Sequence, residues 1–143
     1  MNRGTYPQAV IEVLDDNMRF DAPTLAAVRW FAASNPWRGS QSSRKRKFRD
    51  LNRNLSTACD IVEPKLVFAH LNGGSSGASH YVPRDHRIVI VGKLSVVTFL
   101  HEFGHALGYG EREACRWSIN LFRKCFPRQY SRLIHVGDRK SVV

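Results

Sequence analysis

Between Val96 and Gly108 the chain reads VVTFLHEFGHALG, with two histidines four residues apart. On an α-helix, positions i and i+4 project from nearly the same face, one turn apart. Val96, Val97, Phe99, Leu100, Phe103, Ala106 and Leu107 surround that pair on nearly all sides, which predicts a helix lying in a core. Two imidazoles on one face can bind a single Zn²⁺ at about 2.0–2.1 Å. Glu102 then stands beside the metal, where it can act as general base on a polarised water. Two residues of this helix break local rules. A carboxylate at Glu102 is costly to bury without a partner, and glycine at 104 costs about 1 kcal/mol against alanine in a helix interior. Natural sequences break such rules mainly at functional sites. The pattern therefore points to a zinc hydrolase rather than to a pair of satisfied core histidines.

Two histidines do not complete a metal site. The remaining donors are His70, His80, His86 and His135, together with the acids Glu111 and Glu113. Gly108 and Gly110, flanking Tyr109, predict a helix cap and a tight reversal. The following segment, EREACRWSINLFRKCF (111–126), then returns antiparallel beside the first helix. Counting outward from the turn, Glu113 faces the neighbourhood of Ala106, within one helical turn of His101 and His105. Glu111, nearer the turn, faces Gly108. The count favours Glu113 as third ligand. Both acids also suit the first turn of a helix, where the dipole favours negative charge.

Together, VVTFLHEFGHALG and EREACRWS resemble the gluzincin metallopeptidases, especially their small single-domain members, the minigluzincins, and are similar to the ImmA/IrrE-type peptidases. The resemblance covers residues of about 64–122. It implies a minimal zincin-like α+β domain, with a small, mostly antiparallel sheet packed on a buried His-Glu-x-x-His helix and a glutamate-bearing helix. It also implies Zn²⁺ held by His101, His105 and Glu113, and a peptide or protein substrate. The family's second motif reads Glu-Ala-Asn/Asp-x-aromatic-small, and here Glu113-Ala114-Cys115-Arg116-Trp117-Ser118 stands in its place. Cys115 replaces an Asn or Asp that supports a motif histidine from behind, so the tuning of the site departs from the family pattern. In the family, substrate pairs along an edge strand. The matching segment here is SGASHYV (76–82) or RIVIV (87–91); the glycines before the first favour it as the edge, which makes His80 and Tyr81 candidate substrate contacts.

The rest of the chain is consistent with one domain of 143 residues, the N-terminal helical part at about 1–60 and the strands and zinc-site helices at about 64–126. DAPTLAAVRWFAAS (21–34) predicts a helix capped by Asp21. A second helix runs from about Ser42 to Cys59, with Phe48, Leu51 and Leu55 on its apolar side. KLVFAH (65–70), ASHYV and RIVIV (87–91) read as strands, the last two joined by a turn at PRDH. Residues 8–14 are ambiguous between strand and helix, NGGSSG (72–77) reads as a flexible loop, and Pro127 ends or kinks the last helix before a polar tail. Three cysteines without a C-x-x-C pair fit buried small side chains in a reducing compartment. No apolar run approaches the roughly 20 residues that span a bilayer, and no leader-like apolar stretch opens the chain. The expectation is a cytoplasmic protein without membrane contact.

A formal charge of +10 attracts polyanions. Much of it sits in one stretch, where Arg44, Lys45, Arg46, Lys47, Arg49 and Arg53 face a single acid, Asp50. This run serves either as a solvated helix face or as a sequence-independent contact to nucleic-acid phosphates. The competing functional reading is thus a basic nucleic-acid-associated module with a structural or vestigial zinc site. A basic protease acting on DNA-bound proteins, as SprT-like enzymes do, joins the two readings. Those enzymes use a third histidine, for which His135 is the only downstream candidate.

Overall fold

The structure is a computed structural model that describes residues 13–70 and 78–135. Most of the ambiguous 8–14 segment, the glycine loop at 72–77 and the tail beyond 135 lie outside the described residues. Among the described residues, five helices and a three-stranded sheet make a mixed α and β arrangement: α1 (Ala22–Ala33), α2 (Gln41–Ala58), β1 (Lys65–Ala69), β2 (His80–Val82), β3 (Arg87–Val91), α3 (Val96–Ala106), α4 (Glu111–Cys125) and α5 (Pro127–His135). The chain divides into two compact units, one of residues 20–94 and the other of residues 95–135 with the segment 13–19. The strands thus share a unit with α1 and α2, not with the two motif helices. No described helix is long and apolar enough to cross a membrane.

In the first unit, α1 begins where Asp21 accepts a hydrogen bond from the Thr24 N–H at 2.9 Å, and Pro23 occupies the first turn. Helix α2 is capped by Ser40, whose hydroxyl accepts from the Ser43 N–H. Phe31 of α1 and Phe48 of α2 meet edge to face at 5.2 Å, and Val28, Leu51 and Leu55 complete that buried seam. The sheet has the order β1-β3-β2. β2 and β3 form the expected hairpin, with Tyr81 opposite Ile88. β1 runs parallel to β3, with Val67 opposite Val89. The sheet is therefore half parallel, not mostly antiparallel. The intervening strand β2 reverses the chain, so β3 resumes the direction of β1. Ile88 and Ile90 alternate into the core from the central strand, and β2, carrying His80 and Tyr81, lies at an edge.

In the second unit, α3 starts at Ser95, whose hydroxyl accepts from the Thr98 N–H at 3.1 Å. It ends in the reversal that the two glycines predict. Gly108 adopts φ +98°, its N–H donates to the His105 carbonyl, and the Tyr109 N–H donates to the Gly104 carbonyl at 3.0 Å. These are the paired bonds of a Schellman cap. Helix α4 returns beside α3, burying Ala114, Trp117, Ile119, Leu121 and Phe122. Phe103 and Trp117 stack with ring centroids 6.0 Å apart. At the crossing, a Cβ added to Gly104 would stand 3.1 Å from both Cα and Cβ of Ala114. Pro127 does end α4, but the chain beyond it forms α5 rather than a polar tail, since proline is well tolerated in a helix's first turn.

The segment 13–19 is tied to α4 by Asn120. Its buried side chain accepts from the Asp15 N–H at 2.9 Å and donates to the carbonyls of Val13 at 2.9 Å and Arg116 at 2.7 Å. Arg116 adds an ion pair to Asp15, and that hydrogen-bonded guanidinium holds the Asp15 carboxyl below its usual range. Asn120→Ala should cost about 1–3 kcal/mol, because it leaves an N–H and a carbonyl without partners. Equilibrium urea denaturation measures this.

Candidate metal centre

His101 and His105 occupy successive turns of α3, as their spacing predicts, and their rings lie 4.8 Å apart, edge to face. The acid that meets them is Glu111. Its Oε1 lies 3.1 Å from His101 Nε2 and 3.1 Å from His105 Nε2. Glu113 is elsewhere: it is exposed, and its carboxylate pairs along α4 with Arg116 at 3.6 Å. Helical phase explains the difference from the expected ligand. Ala114 is the residue of α4 that lies against Gly104. Glu111 stands three residues before it, on the same face, and Cys115 follows one position later. Glu113, two residues from Glu111, is turned about 200° away. Distance from the turn favours Glu113, but the direction in which each acid faces decides for Glu111.

The hydrogen bonds behind the histidines show what the three inward atoms can do. His105 Nδ1 lies 2.8 Å from the Tyr109 carbonyl. A carbonyl only accepts, so Nδ1 carries the hydrogen, and in the neutral ring Nε2 presents a lone pair. That lone pair points at a carboxylate oxygen, which is also an acceptor. Two acceptors 3.1 Å apart require a cation or a second ring proton between them. At His101, Nδ1 lies 3.6 Å from Cys115 Sγ, and Sγ lies 3.8 Å from Glu111 Oε2. Burial first, with His105 adding to it, holds the His101 imidazole below its ordinary pKa despite the opposing Glu111 charge. It is thus neutral near pH 7, the form that binds metal. Burial opposes ionisation of Glu111, but the charges and hydrogen bonds of His101 and His105 together outweigh it and hold the carboxyl below its usual range.

A tetrahedral zinc ion with bonds of about 2.0–2.1 Å sets its donors about 3.3 Å apart. The separations of 3.1 Å from Oε1 to each Nε2 approach that edge length. Among the described residues, His101, Glu111 and Cys115 form a group whose donor atoms all lie within 4.8 Å of one another and can hold a metal ion. His105 Nε2, outside that group of three, lies 3.1 Å from the same Glu111 Oε1. Side-chain exposure of 76% at Glu111, against 19% and 24% at the two histidines, leaves the acid side of the cluster facing solvent.

Cys115 is half-buried rather than core. Burial, followed by the charges of Glu111 and Glu102, pushes its thiol up to about 11. It is a neutral S–H at physiological pH. The thiol can donate toward Glu111 while its sulfur faces the Nδ1 side of His101. This is the side on which the resemblance implies an Asn or Asp. Glu102 is buried on α3, between the two histidines in sequence, and its charge reaches Cys115. The five-residue signature alone did not mark Glu111, Cys115 or the Tyr109 carbonyl. The signal that finds them is the i, i+3, i+4 set of Glu111, Ala114 and Cys115, once Ala114 is known to face Gly104.

His80 and Tyr81 belong to the other unit, and their polar atoms are engaged locally. His80 Nδ1 meets the Ala78 carbonyl at 2.7 Å. Tyr81 Oη donates to His86 Nδ1 at 2.7 Å, while His86 Nε2 donates to the Val62 carbonyl at 2.6 Å. The basic run divides as well. Arg44 donates to the Pro36 carbonyl, and Lys47 to those of Asn35 and Arg38. Arg53 pairs with Asp50, and Lys45 and Arg49 lie over the ring of Phe68. Arg46 is exposed.

Comparison with protein-family models, with curated proteins and with solved structures finds no match. The chemistry of the site is therefore read from its own geometry.

Glu111→Ala should weaken divalent-metal binding by more than the roughly 10–100-fold that loss of a supporting partner costs, whereas Glu113→Ala should leave it unchanged. Equilibrium dialysis against zinc distinguishes them. In the metal-free protein, His101 should titrate below 6.5 by proton NMR. The sign follows: the unfolded chain takes up the proton first, so stability declines as pH falls from about 6.5 toward the folded midpoint. Glu111→Gln should lower that midpoint further, by removing the charge that favours imidazolium.

Proposed function

We propose that the chain is a zinc-dependent metallopeptidase of gluzincin type, with His101, His105 and Glu111 as the metal-binding set. The observation that carries this reading is the convergence of two Nε2 atoms on one carboxylate oxygen, with His105 Nδ1 already committed to a carbonyl. The donor set of two imidazoles and a carboxylate is one of the zinc-hydrolase sets. Zinc so held supplies Lewis acidity, lowering the pKa of water toward about 7.

The chain's own groups have separate tasks. The Tyr109 carbonyl fixes the ring of His105 with Nε2 inward, and Cys115 supports His101 from the Nδ1 side. Glu102 takes the proton from the attacking water and delivers it to the leaving amine nitrogen. A glutamate at the histidines supports the gluzincin reading over the SprT-like one, in which the third ligand is a histidine.

Glu102→Gln tests the assignment. It should bind zinc with the affinity of the unmodified protein and lose peptide cleavage by about 10²–10⁴-fold, the usual contribution of a positioned base. Cleavage of a quenched-fluorescent peptide library, read beside zinc stoichiometry, decides it. Undiminished cleavage by this variant would falsify the mechanism.

A further inference from the structure

The basic stretch is not one uniform patch, and its division within the first unit separates the cations that hold the fold from those that do not. Arg44 and Lys47 satisfy carbonyls of the turn between α1 and α2. Arg44 Nε donates to the Pro36 carbonyl at 2.9 Å, and Lys47 Nζ donates to the Asn35 and Arg38 carbonyls at 2.9 and 3.1 Å. That turn contains Asn35 at φ +56° and Gly39 at φ +103°, and its outward carbonyls have no helical N–H to meet. These two cations are structural.

The other four fall on a different side of α2. At 3.6 residues per turn, positions 45, 46, 49 and 53 lie within a stripe about 100° wide. The buried apolar residues Phe48, Leu51 and Leu55 lie on an adjoining side, Phe48 about 60° from Lys45. Phe68 of β1 holds two of the four together, with Lys45 Nζ 5.6 Å and Arg49 Cζ 4.8 Å from its ring centroid. Such pre-ordering reduces the side-chain freedom lost on binding an anion. Arg53 is paired with Asp50 at 2.8 Å, but the pair is exposed, and exposed pairs of this kind are worth only about 0–1 kcal/mol, so a phosphate displaces Asp50 readily. Below the stripe, a shallow depression of about 370 Å³ is lined by Arg49, Arg53 and Lys65 among others, with one acid, Glu63. Lys65 extends the positive surface from the helix onto the first residue of β1.

We propose that this face, formed by Lys45, Arg46, Arg49, Arg53 and Lys65, binds the phosphate backbone of double-stranded nucleic acid without reading its sequence. A duplex fits better than a single strand. The ring face of Phe68 is already covered by cations, so it does not serve as a platform on which unpaired bases stack. What the face offers is positive charge at several points along a rigid helix, the complement of regularly spaced phosphates. The inference does not rest on the peptidase reading, and its test involves neither metal nor cleavage.

Fluorescence anisotropy with a labelled duplex of arbitrary sequence, titrated between about 50 and 200 mM salt, measures the charge neutralised. Four to five phosphate contacts predict a slope of log K against log salt of about −4. Arg46→Gln with Lys65→Gln touches no interaction of Phe68 and should reduce the slope by about 2 without loss of helicity. Neutralising Lys45, Arg46, Arg49 and Arg53 together should bring it close to zero. A control that removes the same charge elsewhere, by glutamine at Arg29, Lys124, Arg128 and Arg132, should keep the slope near that of the unmodified protein. Equal losses in control and face variants would reduce the effect to general attraction and overturn the proposal. So would absence of duplex binding at low salt, or a face variant that loses only binding to phosphatidylserine vesicles while its duplex affinity is unchanged.

Discussion

The candidate site depends on how closely α3 and α4 approach each other at Gly104 and Ala114. A side chain at 104 would meet the backbone of α4 at 3.1 Å; with only hydrogen there, Ala114 can lie against α3. That one contact sets the rotational phase of α4. Three residues back from Ala114 is Glu111, whose carboxylate thereby meets both histidines, and one residue on is Cys115, beside His101. The Schellman cap at Gly108 sets where the chain reverses, and the close approach sets which side of the returning helix faces inward. Glycine's low helix propensity is thus a local cost with a tertiary return.

What converges there is defined by acceptors as much as by distances. A carbonyl orders His105, a thiol stands behind His101, and a single carboxylate oxygen faces both inner nitrogens. With His105 Nδ1 committed to a carbonyl, a cation or a second ring proton must stand between its Nε2 and the carboxylate. The thiol at 115 distinguishes this cluster from one backed by an Asn or Asp. It is neutral at physiological pH and a weaker hydrogen-bond partner, so it adds no charge to the ring it supports.

Charge in the other unit follows the same logic of local use. Net composition treats every lysine and arginine alike, but Arg44 and Lys47 fasten a turn, while Lys45 and Arg49 rest on an aromatic ring. Only the backbone of the turn at 34–40, with its outward carbonyls, shows which cations are engaged. A run that reads as a uniform patch in sequence becomes two sets with different roles.

Much of the secondary structure was legible from local chemistry. Asp21 caps the helix it was expected to cap, Ser95 caps the motif helix, the hairpin turns at 83–86, and the motif helix ends at its glycine. Those features are encoded within a few residues, because caps and turns are satisfied by their neighbours in the chain. The spacing of His101 and His105 likewise determined, by helical periodicity alone, that both imidazoles share a face. Three things were decided only by tertiary structure: the parallel pairing of β1 with β3, the grouping of the strands with α1 and α2, and the presence of Glu111 rather than Glu113 at the histidines. Each is a relation between elements distant in sequence or free to rotate about their axes. Two glutamates two residues apart are equivalent to the chain's local preferences, and only the packing of Ala114 against Gly104 chose between them.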